Sequence, residues 1–348
     1  MILGSHRHPV SAKDLLRRQD ELPRFLSLGD KKLDEVLGGG IAVNMVTEIA
    51  GEAGAGKTQF CLTLATQAQL PIDCGGLNGK VCYLSCQEGD FPSRRMQDIG
   101  GALEAKLKRD GISWWSEKYT AKCMLDNVFT SMIYNTDDLA DTLRKDVPAL
   151  VVKDNVRLVI IDSIAGVVRP EYHIGAPQAK KADDSFERAK LLMDIGDLAR
   201  DLARRPGVAV VIVNQISSYI RKDHQPVPGD KTRQFDNGEM FTMRDAGLLP
   251  GDANTWLPCL GPTWSIQVHA RLLLVRDSSK MRATHATTDG LVEETKSDAR
   301  IDSSGSTSNK IAGGHFSRRA LFIEFSPCQA FAQSGFEICA EGIRAASL

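Results

Sequence analysis

Short apolar runs alternate with amphipathic segments between residues 28 and 214, and this alternation predicts a sheet covered by helices. The apolar runs are rich in Val, Ile and Leu and only a few residues long, which is typical of buried strands. The predicted strands are Val46–Ala50, Lys80–Ser85, Asn127–Ile133, Arg157–Ile161 and Gly207–Val213. Helices are predicted near residues 59–68, 93–108, 137–146 and 183–205. Such an alternation favours the α/β class, with a mostly parallel twisted sheet and helices on both faces.

The last third of the chain departs from this alternation. Residues 216–262 and 277–317 are polar and lack periodicity, so we predict two long loops there. The apolar runs at 264–275, 320–325 and 335–340 are closely spaced and predict antiparallel strands that extend the sheet. Residues 1–27 are polar and are predicted to form an N-terminal tail or linker, which leaves residues 28–345 as one core domain.

Composition and charge change this picture little. The 348 residues are 42% hydrophobic, enough for a sizeable core. The 43 Lys and Arg nearly balance the 44 Asp and Glu, so any nucleic acid would be contacted by local loops.

Cys82 and Cys86 are the only close pair of cysteines, and we predict buried free thiols rather than a metal or redox pair. The sequence has no signal peptide and no apolar run of membrane-spanning length, so we expect a protein of the cytosol or nucleus.

A glycine-rich segment lies between the first predicted strand and the first predicted helix. Its sequence, Gly51-Glu52-Ala53-Gly54-Ala55-Gly56-Lys57-Thr58, fits the phosphate-binding pattern GxxxxGK[ST]. In this pattern the glycines let backbone N–H groups surround an anion at a helix N-terminus, the Lys supplies a positive charge, and the hydroxyl binds magnesium. The alternative is an ordinary Gly-rich turn. The flanking strand and helix favour a site for a nucleoside triphosphate and Mg²⁺.

Three polar residues that follow predicted strands could complete such a site. Asp162 is a candidate magnesium ligand beside Thr58, or otherwise an acid that caps a strand. Glu88 is a candidate general base that orients the attacking water, or otherwise a solvated turn residue. Gln215 could hydrogen-bond the terminal phosphate and shift the loop that follows, or only end a strand.

These features, in this order, resemble the RecA-type recombinase core. The lead-in at residues 26–41, followed by Val46-Thr-Glu-Ile49, is similar to the segment before the phosphate loop in eukaryotic recombinases and their paralogues. Residues 75–84, 147–163 and 260–275 are most similar to one group of those paralogues. The resemblance covers residues 10–343, apart from the two polar loops. It implies a RecA-like P-loop ATPase core that binds ATP and Mg²⁺.

The resemblance also assigns roles to single positions. The family's contacts to phosphate, magnesium and the attacking water correspond to Lys57, Thr58, Glu88, Asp162 and Gln215. Arg95 falls where the family places an Arg over the adenine, although an ordinary Arg on a helix surface would look the same in sequence. The loops that follow Asp162 and Gln215 would face DNA; the alternative for the Lys180-Lys181 run in the first of them is an ordinary solvated face.

Two departures from the family pattern concern assembly. Recombinases carry a Phe-x-x-Ala motif that docks on a neighbouring subunit; here Pro9 replaces the Phe and only Ala12 is retained. Phe325 falls where active recombinases place the acid that caps the neighbour's ATP. We therefore expect poor self-polymerisation and slow ATP turnover.

The resemblance implies a nuclear protein of homologous recombination. As a heterodimer with another recombinase paralogue, it would assist assembly of the strand-exchange recombinase on single-stranded DNA at double-strand breaks and stalled forks, with weak DNA-dependent ATPase activity. One alternative is a self-assembling strand-exchange or motor ATPase, which the absent docking Phe argues against. Another is a nucleotide-dependent scaffold without a DNA role, which salt-sensitive binding to single strands would exclude.

Overall fold

A ten-stranded sheet with helices on both faces organises the chain. The computed structural model describes residues 11–13, 22–86, 89–111, 117–171, 178–219, 255–276 and 319–346. The strands are β1 Phe25–Leu26, β2 Ile41–Ala42, β3 Val46–Gly51, β4 Lys80–Ser85, β5 Val128–Met132, β6 Val156–Asp162, β7 Ala209–Tyr219, β8 Thr255–Pro258, β9 Ala270–Arg276, β10 Arg319–Phe325, β11 Gln333–Cys339 and β12 Gly342–Ala345. The helices are α1 Lys31–Val36, α2 Lys57–Gln67, α3 Ser93–Arg109, α4 Ala121–Asp126, α5 Thr136–Asp141, α6 Val147–Lys153, α7 Ile164–Glu171, α8 Gln178–Ala203 and α9 Gly261–Ser265.

The strand order combines a parallel half with an antiparallel half. Along the sheet the strands follow the order β12-β11-β10-β9-β3-β7-β6-β4-β5, and β8 pairs with β7 beside this path. Neighbours from β5 to β9 are parallel. Neighbours from β9 to β12 are antiparallel. The predicted α/β class, with a mostly parallel sheet and antiparallel C-terminal strands, is confirmed.

The period of two along β7 divides the core between the two faces of the sheet. Val211 and Val213 pack with α2 in one hydrophobic cluster. Val210 and Ile212 point the other way and pack with α8 and α9 in a second cluster. Successive side chains of a strand point to opposite faces, so a continuous apolar run supplies both cores. This burial on both faces holds the carboxyl ends of β3, β6 and β7 at one rigid edge.

Two predictions for the C-terminal third are corrected. Within the predicted loop 216–262, Ile216–Tyr219 and Thr255–Pro258 pair as antiparallel strands, because their backbone groups satisfy one another across β7 and β8. Residues 261–265 form α9 rather than the start of a strand, and β9 pairs in parallel with β3 on one side. Only its other side is antiparallel, with β10. Residues 220–254 and 277–318 lie outside the described residues.

The predicted helix at 137–146 is longer in the structure. A π-helical turn, Thr142–Asp146, joins α5 to α6 and carries the helix to Lys153. Buried side chains recur every four residues along it, at Leu139, Leu143, Val147 and Val151. Pro148, which has no N–H to donate, directly follows this π-helical turn, where the Val147 N–H bonds to the Thr142 carbonyl and the regular i→i−4 ladder is already interrupted.

The N-terminal boundary of the core also differs from the prediction. Phe25 and Leu26 lie within the predicted tail, yet they form β1, which pairs with β2. Leu26 is fully buried. The folded core therefore includes Phe25 and Leu26, although the polar composition of residues 1–27 predicts a tail or linker there. In the described ranges, no helix has the length and apolar character needed to cross a membrane.

Candidate nucleotide site

The glycine-rich loop connects β3 to α2 at the carboxyl edge of the sheet. Gly54 and Gly56 adopt left-handed backbone angles, with φ of 76° and 106°, a region that favours glycine. Gly51 lies against β9, where a Cβ would stand 2.5 Å from the Leu274 carbonyl oxygen. Strand, loop and helix stand in the order that phosphate binding requires, with the N-terminus of α2 directed at the loop. The loop formed by Gly51, Glu52, Ala53, Gly54, Ala55 and Gly56 thus lies between the strand and the helix that the sequence predicts around it.

Lys57 reaches back into this loop. Its Nζ donates hydrogen bonds of 2.8 Å to the carbonyl oxygens of Gly51 and Glu52. Burial lowers the pKa of the Lys57 ammonium, while the nearby carboxylate of Asp162 acts in the opposite direction. The side chain places a positive charge where loop N–H groups and the helix N-terminus already favour an anion.

Asp162 lies next to Thr58, although 104 residues separate them in the chain. The Thr58 hydroxyl donates to Asp162 Oδ2 at 2.8 Å, and Asp162 is only 6% exposed. In an octahedral magnesium site, adjacent ligand oxygens about 2.1 Å from the metal lie about 3.0 Å apart. The hydroxyl and carboxylate oxygens therefore have the separation and the hard-oxygen chemistry of two neighbouring Mg²⁺ ligands.

A second hydroxyl, from Tyr83 on β4, reaches the same carboxylate oxygen. Tyr83 donates to Asp162 Oδ2 at 2.6 Å and is 1% exposed. Burial raises the pKa of the Tyr83 hydroxyl well above its ordinary value, and the charge of Asp162 raises it further. The hydroxyl therefore stays protonated and remains a donor. Tyr83 lies within an apolar strand run, and no local pattern in the sequence marks it as a residue of the site.

Gln215 lies beside the start of the glycine-rich loop. The parallel register of β3 and β7 pairs Gln215 with Gly51. The Gln215 N–H donates to Asn214 Oδ1 at 2.8 Å, and its carbonyl accepts from Cys259 N–H at 2.9 Å. The residue that was predicted to sense the terminal phosphate thus lies at the last position where β7 pairs with β3, next to the phosphate loop.

A buried network of charged and polar side chains connects β3, β7 and β9 close to this edge. Glu48 on β3 and Arg271 on β9 form a salt bridge with both side chains fully buried. Glu48 Oε1 also accepts from Asn214 at 2.7 Å and from the Trp264 indole at 3.0 Å. Arg271 additionally donates to Glu324 at 3.2 Å. The network was not predicted from the sequence. Its indication there is that Glu48 and Arg271 are charged residues inside apolar runs, where charged side chains are rare unless they are paired.

Arg95 is held rather than free on a helix surface. Its Nε donates to Gln59 Oε1 at 2.7 Å, in the first turn of α2. Its guanidinium also donates to the carbonyl oxygens of Cys339 and Ala340, in the turn between β11 and β12. The planar cation therefore lies beside the helix that begins at the phosphate loop, while the neighbouring Arg94 is exposed. This position is compatible with the predicted contact to adenine.

Other predicted positions have different outcomes. Glu88 and Pro9 lie outside the described residues. Phe325 is half-buried at the end of β10, with the Arg271 guanidinium 5.1 Å from its ring centre. Cys82 and Cys86 are buried free thiols, as predicted, and burial raises the pKa of each to about 12. The described residues contain no cluster of three or more His, Cys, Asp or Glu that could hold a metal ion.

Comparison with known proteins agrees with this arrangement. Residues 18–236 match the Rad51 family. The chain is 30% identical over 255 residues to the DNA repair protein rhp57 of Schizosaccharomyces pombe, covering 73% of this chain and 69% of that protein. It is 31% identical over 270 residues to the DNA repair protein XRCC3 of Mus musculus, covering 77% and 68%. It is 28% identical over 338 residues to the DNA repair protein XRCC3 homolog of Arabidopsis thaliana, covering 96% and 97%.

These similarities confirm the predicted resemblance to RecA-type recombinase paralogues. The family match spans more than half of the chain and includes the phosphate loop, Asp162 and Gln215. The sheet order and the positions of those residues at its carboxyl edge are those of a RecA-like core. The chain belongs to the Rad51 family.

Proposed function

We propose that this chain is an ATP-binding recombinase paralogue that acts in homologous-recombination repair in the nucleus. The observation that carries the proposal is the convergence of Lys57, Thr58, Asp162 and Gln215 around one glycine-rich loop. Such a set supplies a cation, two magnesium ligands and an amide at the place where phosphates would lie. Membership of the Rad51 family, and relatives named as DNA repair proteins, support the role in repair.

Each side chain has a distinct task in this proposal. The loop N–H groups and Lys57 hold the phosphates of ATP, while Thr58 and Asp162 hold Mg²⁺. The metal, when bound, neutralises charge on the phosphates. Arg95 lies against the base, and Glu88 orients the attacking water. Gln215 contacts the terminal phosphate, so loss of that phosphate changes the end of β7 and the segment that follows it.

The chain is proposed to act with a different subunit rather than with copies of itself. Phe325 presents an apolar ring, packed on Arg271, at the position where an active recombinase offers a carboxylate to its neighbour. Pro9 stands in place of the docking Phe. We infer a heterodimer with another recombinase paralogue, which assists assembly of the strand-exchange recombinase on single-stranded DNA at double-strand breaks and stalled forks.

ATP turnover tests this assignment. Phosphate release should be slow for the chain alone and should rise only when a partner paralogue and single-stranded DNA are both present, because the site is completed by the neighbouring subunit. The matched control is Glu88→Gln, which should still bind ATP but should lose the stimulated turnover. Brisk DNA-stimulated turnover by the chain alone, together with ATP-dependent self-filaments in sedimentation, would instead indicate a self-sufficient strand-exchange ATPase.

Binding to single-stranded DNA should depend steeply on salt. With a formal net charge of −1 the chain has no global attraction for DNA, so contacts would come from local cationic groups. The logarithm of the affinity for an oligothymidylate should then fall linearly with the logarithm of salt concentration, with a slope of about −0.7 per phosphate contact. Fluorescence anisotropy of the heterodimer measures this slope. A heterodimer without measurable binding at low salt would favour a scaffold without a DNA role.

A further inference from the structure

Tyr83 is a buried side chain of the nucleotide edge to which the roles proposed above give no task. It lies on β4, the strand next to β6, and the parallel register pairs Ser85 with Asp162. Tyr83 is two residues before Ser85, so its side chain points to the same face of the sheet as those of Ser85 and Asp162. Its hydroxyl donates to Asp162 Oδ2 at 2.6 Å. The contact therefore follows from the register of two central strands rather than from a loop.

The ring of Tyr83 is held rigidly. It packs edge-on against Phe91, with ring centres 4.9 Å apart and planes inclined by 68°. It belongs to the hydrophobic cluster that also contains Phe60 and Met96. With 1% of its surface exposed, the ring cannot turn its hydroxyl to water without opening the core. The donor thus has a fixed position relative to the end of β6.

The accepting oxygen is the one that Thr58 also contacts. Asp162 Oδ2 receives the Tyr83 hydroxyl at 2.6 Å and the Thr58 hydroxyl at 2.8 Å. A carboxylate fixed by a rigid donor loses freedom to rotate about its terminal bond, so its orientation toward a cation is set before the cation arrives. Thr58 lies in the first turn of α2, next to the phosphate loop, whereas Tyr83 belongs to the sheet.

We propose that Tyr83 is a positioning residue for magnesium, acting through Asp162. The proposal rests on the nucleotide site proposed above and adds to it the residue that orients the metal ligand. A purely structural role is the competing explanation, since a buried hydroxyl needs a partner in any case. The two explanations differ in what removal of the hydroxyl does to magnesium binding.

The test compares Tyr83→Phe with the unaltered chain. The variant keeps the ring and removes only the hydroxyl. The magnesium concentration that gives half-maximal binding of a fluorescent ATP analogue should rise by about 10- to 100-fold, as for other groups that orient metal ligands. Binding of the analogue in EDTA should change little, because the Tyr83 hydroxyl bonds Asp162, the proposed metal ligand, and would act on the nucleotide only through the metal. Tyr134→Phe, at a side chain that is 77% exposed, is the matched control and should leave the magnesium requirement unchanged.

A double-mutant cycle with Asp162→Asn separates positioning from structure. If Tyr83 acts through the carboxylate, Tyr83→Phe should have no further effect on the magnesium requirement once Asp162 is replaced. All titrations are run at a temperature well below the thermal unfolding midpoint of the least stable variant. A loss of stability alone then does not change the measured magnesium requirement. An unchanged requirement in Tyr83→Phe, or additive effects in the cycle, would overturn the proposal. Absence of magnesium-dependent binding by the unaltered chain would overturn the proposed nucleotide function itself, which is a distinguishable result.

Discussion

Replacing Arg271 by Ala is expected to lower the free energy of unfolding by about 3–5 kcal/mol, the usual cost of leaving a buried partner charge uncompensated. Glu48 would keep its bonds from Asn214 and Trp264 but would lose its counter-ion in a fully buried position. Glu324 would lose its partner as well. The measurement is the denaturant midpoint and slope in equilibrium unfolding.

The matched control lies on the same strand. Arg276 is exposed at the end of β9, so Arg276→Ala should change the free energy of unfolding by no more than about 0.5 kcal/mol. A comparably small loss in Arg271→Ala would mean that water enters and solvates Glu48, and that the network does not hold β3 and β9 together.

Replacing Lys57 by Ala is expected to weaken ATP binding by about 100-fold, equivalent to about 3 kcal/mol for a charge-assisted contact. The ammonium is the cation inside the phosphate loop, bonded to the carbonyl oxygens of Gly51 and Glu52. Fold stability should change little, because the site is partly open and water can hydrogen-bond the two released carbonyls. Equilibrium binding of radiolabelled ATP in the presence of Mg²⁺ measures the effect.

Lys31→Ala serves as the control for this experiment. Its side chain is 91% exposed on α1, so the change removes the same charge at a solvated position. ATP affinity should then match that of the unaltered chain. An unchanged affinity in Lys57→Ala would remove the glycine-rich loop from the nucleotide site, and with it the proposed role of ATP.

The buried network links the two halves of the sheet to the nucleotide edge. Glu48 lies on β3, directly before the phosphate loop, and its carboxylate holds Asn214, the residue before Gln215. Asn214 in turn accepts from the Gln215 N–H. Any shift of Gln215 in response to a phosphate would therefore be resisted on one side by a fixed amide. Together with the parallel pairing of Gln215 and Gly51, these bonds fix this part of β7 beside the phosphate loop.

The phosphate loop and the strand-end residues could be predicted because their signals are local. Eight consecutive residues carry the loop pattern, and the strand and helix that give it meaning are its immediate neighbours. Asp162 and Gln215 stand at the ends of apolar runs, and the carboxyl ends of parallel strands meet at one edge. The helix from 136 to 153 was only partly predicted, because proline is strongly disfavoured in a helix interior and Pro148 therefore predicts that the helix ends before it.

The amino-acid sequence by itself determined the α/β class, the phosphate loop, the candidate magnesium ligands and the family, since each depends on residue types at short spacings. Tertiary structure alone decided which strands are neighbours, that β9 lies parallel to β3, and that Tyr83 meets Asp162 across 79 positions of the chain. It also decided that Glu48 pairs with Arg271 across 223 positions. The physical reason is that a buried polar group is destabilising unless it has a hydrogen-bond or ionic partner. The packing of distant strands brings these partners together, and no local sequence pattern specifies them.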